Sequence, residues 1–276
     1  MGVGSGAGEE PVKLYEHPLS SYVQKVKIAL REKNIPFTVE RPDGLGSGSA
    51  RGDFADGNVR VEVPLLIDDD VRVFDSTVIL EYLEDKVPAP ALLPRDPAAR
   101  ARARMIEDVC DTSYEAINWG LGEIAWFRRA EGALAEQLRG AAAVQTAEIQ
   151  GWLAGHLGDR EWFTGENFGW ADLSVAPFLN RSVLFGFGPE AGSPLDLWLR
   201  RVRLRPSVAK TFEEFMAAQA LMGNAADRVA SGAMRREYRD HRLEWMIKSG
   251  GMAVVRDGMA KNNIRFTWPV AGGKSP

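Results

Sequence analysis

The chain has 276 residues, 45% of them hydrophobic and 26% charged; at about 150 residues per domain it favours two packed units and excludes a disordered composition. Its 34 basic and 38 acidic side chains leave a net charge of -4, with no surplus cation to neutralise phosphates, so no nucleic-acid partner is expected. The single cysteine, Cys110, excludes an intrachain disulfide, a C-x-x-C redox pair and a thiolate zinc site. With no stretch of ~20 apolar residues and no apolar signal region, a cytoplasmic protein with no membrane association is expected.

Residues 1–11, rich in glycine, are expected to form a flexible leader. From 12 to 87 the hydrophobic period changes repeatedly, as in a small mixed α/β unit. Val12-Lys13-Leu14-Tyr15 predicts a strand, and Pro18 turns the chain because it cannot donate to a ladder. Residues 21–33 predict a helix with Val23, Val26, Ala29 and Leu30 on one face, stopped at Asn34 and Pro36. Residues 35–40 alternate as a second strand, and residues 42–58, with five glycines, predict a loop holding a helical turn near 51–55. Residues 63–67 and 71–74 predict a hairpin around Asp68-Asp69-Asp70, followed by a helix over 76–86.

Four prolines between 88 and 97 mark a stiff linker. Beyond it, helices are predicted over 98–129, with Gly120 and Gly122 as bend points, and over 133–157, 170–184, 195–203 and 207–222. Residues 223–276 extend the chain further. Within them 233–249 predict one helix ended by Gly250-Gly251, read as a packed extension or as a cover over part of a substrate pocket.

The most informative local arrangement is His17-Pro18-Leu19-Ser20-Ser21-Tyr22 between the first strand and the first helix. It puts a serine hydroxyl at a helix N-terminus, where unpaired N–H groups and the dipole favour an anion. An ordinary N-cap uses the same residue type.

With this segment in view, the chain resembles the glutathione transferases over residues 12–222. The resemblance implies a thioredoxin-like α/β N-terminal domain at 12–87, a linker at 88–97 and an all-α helical C-terminal domain at 98–222. It places the catalytic hydroxyl at Ser20, as in serine-type, bacterial-like members, with Tyr15 second and Tyr22 third in rank. Glu62-Val63-Pro64-Leu65-Leu66 is similar to the family's Val-Pro segment, in which the proline is cis and the backbone pairs with the cysteinyl part of glutathione. Asp75-Ser76 matches the pair that holds the γ-glutamyl group, Asp75 accepting from the ammonium and Ser76 with the helix N-terminus binding the carboxylate.

Two departures accompany these matches. In Gly165-Glu166-Asn167-Phe168-Gly169-Trp170-Ala171-Asp172, similar to the family's folding motif, Gly169 stands where Ser or Thr normally caps, and Asp172 reads as structural. Asn58-Val59-Arg60-Val61 lacks the Pro and Gly that many bacterial relatives carry before the Val-Pro segment.

The chemistry has a use for a serine. A free thiol with pKa near ~8.5 is only slightly ionised at pH 7, and lowering that value by about two units corresponds to roughly 2.7 kcal/mol. A hydroxyl donating to sulfur at a positive helix end supplies such stabilisation without losing its own proton. None of His17, His156 and His241 has a triad spacing, and no metal is expected. Tyr114 is retained as a candidate of the substrate pocket, because a phenol can steer a leaving group. The implied co-substrate is glutathione, the acceptor a small hydrophobic electrophile and the assembly a homodimer. A glutathione-dependent lyase or etherase, dehalogenase or isomerase is the alternative on the same fold, and a non-catalytic ligand-binding or interaction protein is the alternative of another class.

Overall fold

A computed structural model describes residues 11–45, 50–238 and 240–264. The expected leader, apart from Pro11, lies outside them, as do residues 46–49 of the glycine-rich loop and the end of the extension. Strands β1 (Val12–Tyr15), β2 (Phe37–Glu40), β3 (Leu65–Asp68) and β4 (Val71–Phe74) form one sheet in the order β2-β1-β3-β4. β1 and β2 run parallel around α1 (Ser21–Glu32), while β3 is antiparallel to both β1 and β4. The short helix α2 (Asp53–Asp56) lies in the long loop, and α3 (Ser76–Lys86) follows β4.

Burial explains this half. Leu14 and Leu66 of the central strands pack with Val23, Val26 and Leu30 of α1 and Ile79 and Leu83 of α3, so both helices present their apolar stripes to the sheet. β2 is an edge strand, and its Val39 is 48% exposed. β3 begins at Leu65, two residues later than the alternation predicts, because Pro64 has no N–H to give the ladder.

The linker is fastened rather than merely stiff. Lys33 Nζ donates to the carbonyls of Val87 and Pro90 and pairs with Glu84 at 2.8 Å, while the Glu84 carboxylate accepts from the Leu92 and Leu93 N–H groups.

The second half is helical: α4 (Pro97–Val109), a π-helical turn (Cys110–Tyr114), α5 (Glu115–Ala125), α6 (Gly132–Leu157), α7 (Trp170–Leu184), α8 (Pro194–Arg203) and α9 (Pro206–Ala217). A 3₁₀ turn (Ala218–Met222) and helices α10 (Ala225–Ala230), α11 (His241–Lys248) and α12 (Met252–Ala260) complete the described chain. The single helix expected over 98–129 is therefore broken, and the break is the π turn, not the glycines. The helix expected over 233–249 is also shorter. It starts only where Asp240 caps it by accepting from the Leu243 N–H at 3.2 Å, leaving residues 233–238 non-helical.

α7 is the buried centre of this half. At its start the Trp170 N–H donates to the Leu92 carbonyl at 2.8 Å, bringing the linker so close that a Cβ on Gly169 would lie 2.7 Å from that oxygen. The missing Ser or Thr cap thus has a steric cause. Asp172 makes its half of the capping exchange by accepting from the Gly169 N–H, and it also accepts from the Phe163 N–H and Trp198 Nε1. Burial raises its pKa to about 7 despite these donors.

The two halves meet across α1. Lys25, fully buried, lies 2.7 Å from Glu107 and 2.6 Å from Asp111. Glu107 also accepts from the Thr77 hydroxyl and the Trp170 indole N–H. The Tyr22 hydroxyl donates to the Asp111 carbonyl at 2.6 Å. Burial works against the charge on Lys25, but Asp111 and Glu107 outweigh it and raise its pKa. Burial also pushes Asp111 up to about 6.

Candidate active site

Sheet register brings three of the sequence motifs to one end of the fold. Tyr15, the last residue of β1, pairs with Leu65, and Leu65 pairs with Phe74, the last residue of β4. The loop to Ser20 leaves from the first of these positions, Pro64 immediately precedes the second and Asp75 follows the third. Residues separated by up to fifty-five positions therefore converge because three strands start or stop together.

Ser20 is the N-cap of α1, with φ -75° and ψ 118°, and its Oγ accepts from the Val23 N–H at 3.4 Å. Capping uses only an acceptor lone pair, which leaves the O–H as a donor. The loop is fixed by the Ser20 N–H donating to the His17 carbonyl at 2.8 Å and by Gln24 Nε2 donating to the Pro18 carbonyl at 3.0 Å. His17 accepts from the Leu19 N–H; burial, with Arg41 and Arg181 nearby, lowers its pKa to about 4, so the imidazole is neutral.

The competing tyrosines pack elsewhere, and one of them has its hydroxyl bonded across the domains. The Tyr15 ring packs against Phe54 at 5.4 Å in a small cluster with Ala50 and Leu65. Tyr22 donates to Asp111 and lies edge-on to Phe178 at 5.7 Å, joining the two halves; burial raises its pKa. Tyr114, expected at the substrate pocket, is instead a fully buried core residue whose hydroxyl accepts from Gln150 Nε2 at 2.9 Å. The π turn that ends at Tyr114 sets which face it presents. Cys110 on the same turn is also buried, and burial raises its thiol pKa well above the usual value.

The Val63-Pro64 bond is cis, as the family resemblance implies. Among the described residues nothing pairs with the Val63 N–H or carbonyl, so this backbone can accept an added extended chain. Upstream, Asn58 Nδ2 donates to the Glu62 carbonyl at 2.5 Å and its Oδ1 accepts from the Arg60 N–H, which shapes the loop that lacks Pro and Gly. Val61 in that loop has φ 54°, a left-handed conformation that is an outlier for a β-branched residue.

Asp75 caps α3 by accepting from the N–H groups of Thr77 at 3.0 Å and Val78 at 3.4 Å. Its φ of 75° is of the kind that persists where surrounding structure over-determines it, and such residues cluster at functional sites. Its second oxygen lies 3.2 Å from Arg60, whose guanidinium also covers the Phe74 ring. Ser76 beside it is buried at the first position of the helix. Sequence reasoning missed Arg60, since its spacing to Asp75 carries no periodic signal.

A parallel-plus-hairpin sheet with these motifs at one end, followed by a helical domain packed on α1, defines the thioredoxin-like class of two-domain glutathione proteins. Residues 14–91 match the family model "Glutathione S-transferase, N-terminal domain" and residues 124–217 match "Glutathione S-transferase, C-terminal domain". A probable glutathione S-transferase parC from Nicotiana tabacum is 31% identical over 215 residues, 75% of this chain and 91% of that protein. The structure of rice GST1 in complex with glutathione superposes with a TM-score of 0.63 at 29% identity, covering 78% of this chain and 98% of that one. A glutathione S-transferase from Rhodospirillum rubrum F11 gives 0.64 at 26% identity, covering 72% and 91%. The chain belongs to the glutathione S-transferase family. No helix among the described residues is long and apolar enough to cross a membrane.

Proposed function

We propose that the protein is a cytoplasmic glutathione transferase in which Ser20 stabilises the glutathione thiolate for attack on an electrophile. The observation that carries this reading is the Ser20 hydroxyl: it sits at the N-terminus of α1 and, among the described residues, no acceptor takes its O–H, while the Tyr15 ring packs against Phe54 and the Tyr22 hydroxyl joins the domains. The cysteinyl backbone would pair with Val63, next to Pro64. The γ-glutamyl ammonium would share the Asp75 carboxylate with Arg60, and its carboxylate would meet Ser76 and the first turn of α3. The thiol proton goes to solvent. The sulfur pair then forms a carbon–sulfur bond as the leaving group departs with its own electron pair, and no redox partner is required. A homodimer is expected, and light scattering in solution tests it.

The test is a glutathione titration followed by calorimetry and tryptophan fluorescence, with the thiolate absorbance recorded in parallel. Saturable binding, weakened about tenfold in Asp75→Ala, with a thiolate band that fades in Ser20→Ala, is the expected result. Binding with an undiminished thiolate band in Ser20→Ala would remove serine from the mechanism. Absence of binding at millimolar glutathione would overturn the whole reading.

A further inference from the structure

The loop that lacks the Pro and Gly of many bacterial relatives is not loosely built. Asn58, fully buried at its root, accepts from the Arg60 N–H at 3.2 Å through Oδ1 and from the Val61 N–H at 2.9 Å through its carbonyl, while its Nδ2 donates to the Glu62 carbonyl. One residue thus holds the backbone of the next three after Val59. The turn puts Val61 at φ 54°, a conformation that a β-branched residue keeps only where its surroundings impose it. The side chain that this turn delivers to the site is Arg60.

Arg60 reaches from the loop to the end of β4. Its guanidinium carbon stands 5.6 Å from the centre of the Phe74 ring, and its Nη1 is 3.2 Å from Asp75 Oδ2. Contact with a ring face orients the plane of a guanidinium, which a lysine ammonium does not possess. Asp75 Oδ1 accepts from the Thr77 and Val78 N–H groups, so Oδ2 is the oxygen turned to Arg60. Among the described residues the guanidinium has no other hydrogen-bond partner, which leaves Nε and Nη2 with hydrogens to donate. The Arg60 side chain is 43% exposed and that of Asp75 36%, so a ligand can reach both. An ion pair this open adds little to stability, and stability therefore does not account for a strained loop that places it.

A held cation beside a held anion is the complement of a group that carries the opposite charges side by side. A free α-amino acid head is such a group, with its ammonium and its carboxylate on one carbon. In glutathione the γ-linkage leaves this head intact, whereas an ordinary peptide N-terminus offers the ammonium alone. Resting on the function proposed above, we infer that Arg60 and Asp75 form one receptor for the zwitterionic head of the γ-glutamyl residue, and that Arg60 is a specificity-determining residue that donates to its α-carboxylate alongside Ser76. Asp75 Oδ2 accepts from the ammonium and from Arg60 together, so the four charges alternate in sign and each faces an opposite one.

Calorimetry on the full-length protein compares three thiols. They are glutathione, its decarboxylated analogue 4-aminobutanoyl-cysteinylglycine, which keeps the ammonium, and its deaminated analogue glutaryl-cysteinylglycine, which keeps the carboxylate; the weaker ligands are read by displacement of glutathione. Arg60→Gln should raise the glutathione Kd about tenfold and leave that of the decarboxylated analogue within about twofold, since that analogue has no carboxylate contact to lose. Arg60→Lys, which keeps the charge and loses the fork, should raise the glutathione Kd about threefold. Asp75→Asn should give the converse, a Kd about tenfold higher for the decarboxylated analogue and within about twofold for the deaminated one. A residue that only braced the loop or oriented Asp75 would change the affinity for all three ligands alike. If the wild type binds glutathione and Arg60→Gln weakens the decarboxylated analogue as much as glutathione, or weakens neither, Arg60 does not read the carboxylate and the inference is overturned. If the wild type does not bind glutathione, the functional reading falls and this inference falls with it.

Discussion

The seam between the two domains and the attachment of the C-terminal extension solve the same problem, joining separate parts of one chain, in opposite ways. At the seam Lys25 is wholly buried and reaches Glu107 and Asp111, and Thr77, Trp170 and Tyr22 supply further hydrogen bonds. In the extension, α11 and α12 leave Trp245 65%, Val254 63% and Met259 62% exposed, and the body is held at a strap, residues 234–238, by Arg236 pairing with Glu123 and Tyr238 packing on Trp119. Buried charges tolerate no slack, because separating them leaves a charge in a low dielectric with no partner. The seam therefore fixes Ser20 on α1 relative to the helical domain, whereas the strap fastens the extension to α5 through a contact that is partly open to solvent.

The largest effect should come from breaking the seam. Lys25→Met strands two carboxylates and is expected to cost about 3–5 kcal/mol, read as a lower urea midpoint. Adding Glu107→Gln and Asp111→Asn to that variant should recover part of the loss, since the uncompensated charges go with them. A loss below about 1 kcal/mol in the single variant would break the comparison, placing the seam's stability in apolar packing alone.

Next in size is Gly169→Ala. The new Cβ would stand 2.7 Å from the Leu92 carbonyl, a backbone atom that is itself bonded to the Trp170 N–H. Displacing the linker should cost about 1–3 kcal/mol, measured by thermal unfolding. The residue also shows what a sequence can and cannot convey. Gly169 reads as a weakened cap, and only the approach of a linker seventy-seven residues earlier explains why a better cap is excluded. The strands, α1 with Ser20 at its cap, and the Asp75-Ser76 start of α3 were legible because their signals are local. The Lys25 cluster was not, because its partners lie 82 and 86 residues away. The burial of Tyr114 was not legible either, because it ends a π turn, whose extra residue breaks the regular helical spacing that would have told which face it lies on.

A pH titration sharpens the comparison from the side of the active-site loop. His17 has its pKa lowered to about 4 by burial first, then by Arg41 and Arg181, and is therefore neutral when folded but protonated below about pH 6.5 when unfolded. Its contribution is present above pH 6.5 and is lost as pH falls toward 4. Wild type should lose up to about 2 kcal/mol of stability from this group between pH 6.5 and 4.5, and urea midpoints across that range should fall less in His17→Gln. An equal fall in both proteins would assign the acid sensitivity to other groups.

The smallest expected change is at Val61, held at φ 54° in the loop before Val63-Pro64. A left-handed conformation costs an L-residue about 1–2 kcal/mol, and glycine removes that cost. Against this, glycine adds about 0.5–1 kcal/mol of unfolded-state entropy. It also forfeits the contact of the half-buried Val61 with the cluster of Tyr15, Phe54 and Leu65, worth up to about 1 kcal/mol at partial burial. These terms nearly cancel, so the midpoint of Val61→Gly should stay within about 1 kcal/mol of wild type. Binding should respond more than stability does, because the loop that presents the Val63 backbone would no longer be pre-ordered; the glutathione Kd is expected to rise about threefold. A clear gain in stability with unchanged binding would mean that the strain at Val61 is not part of how the site is held.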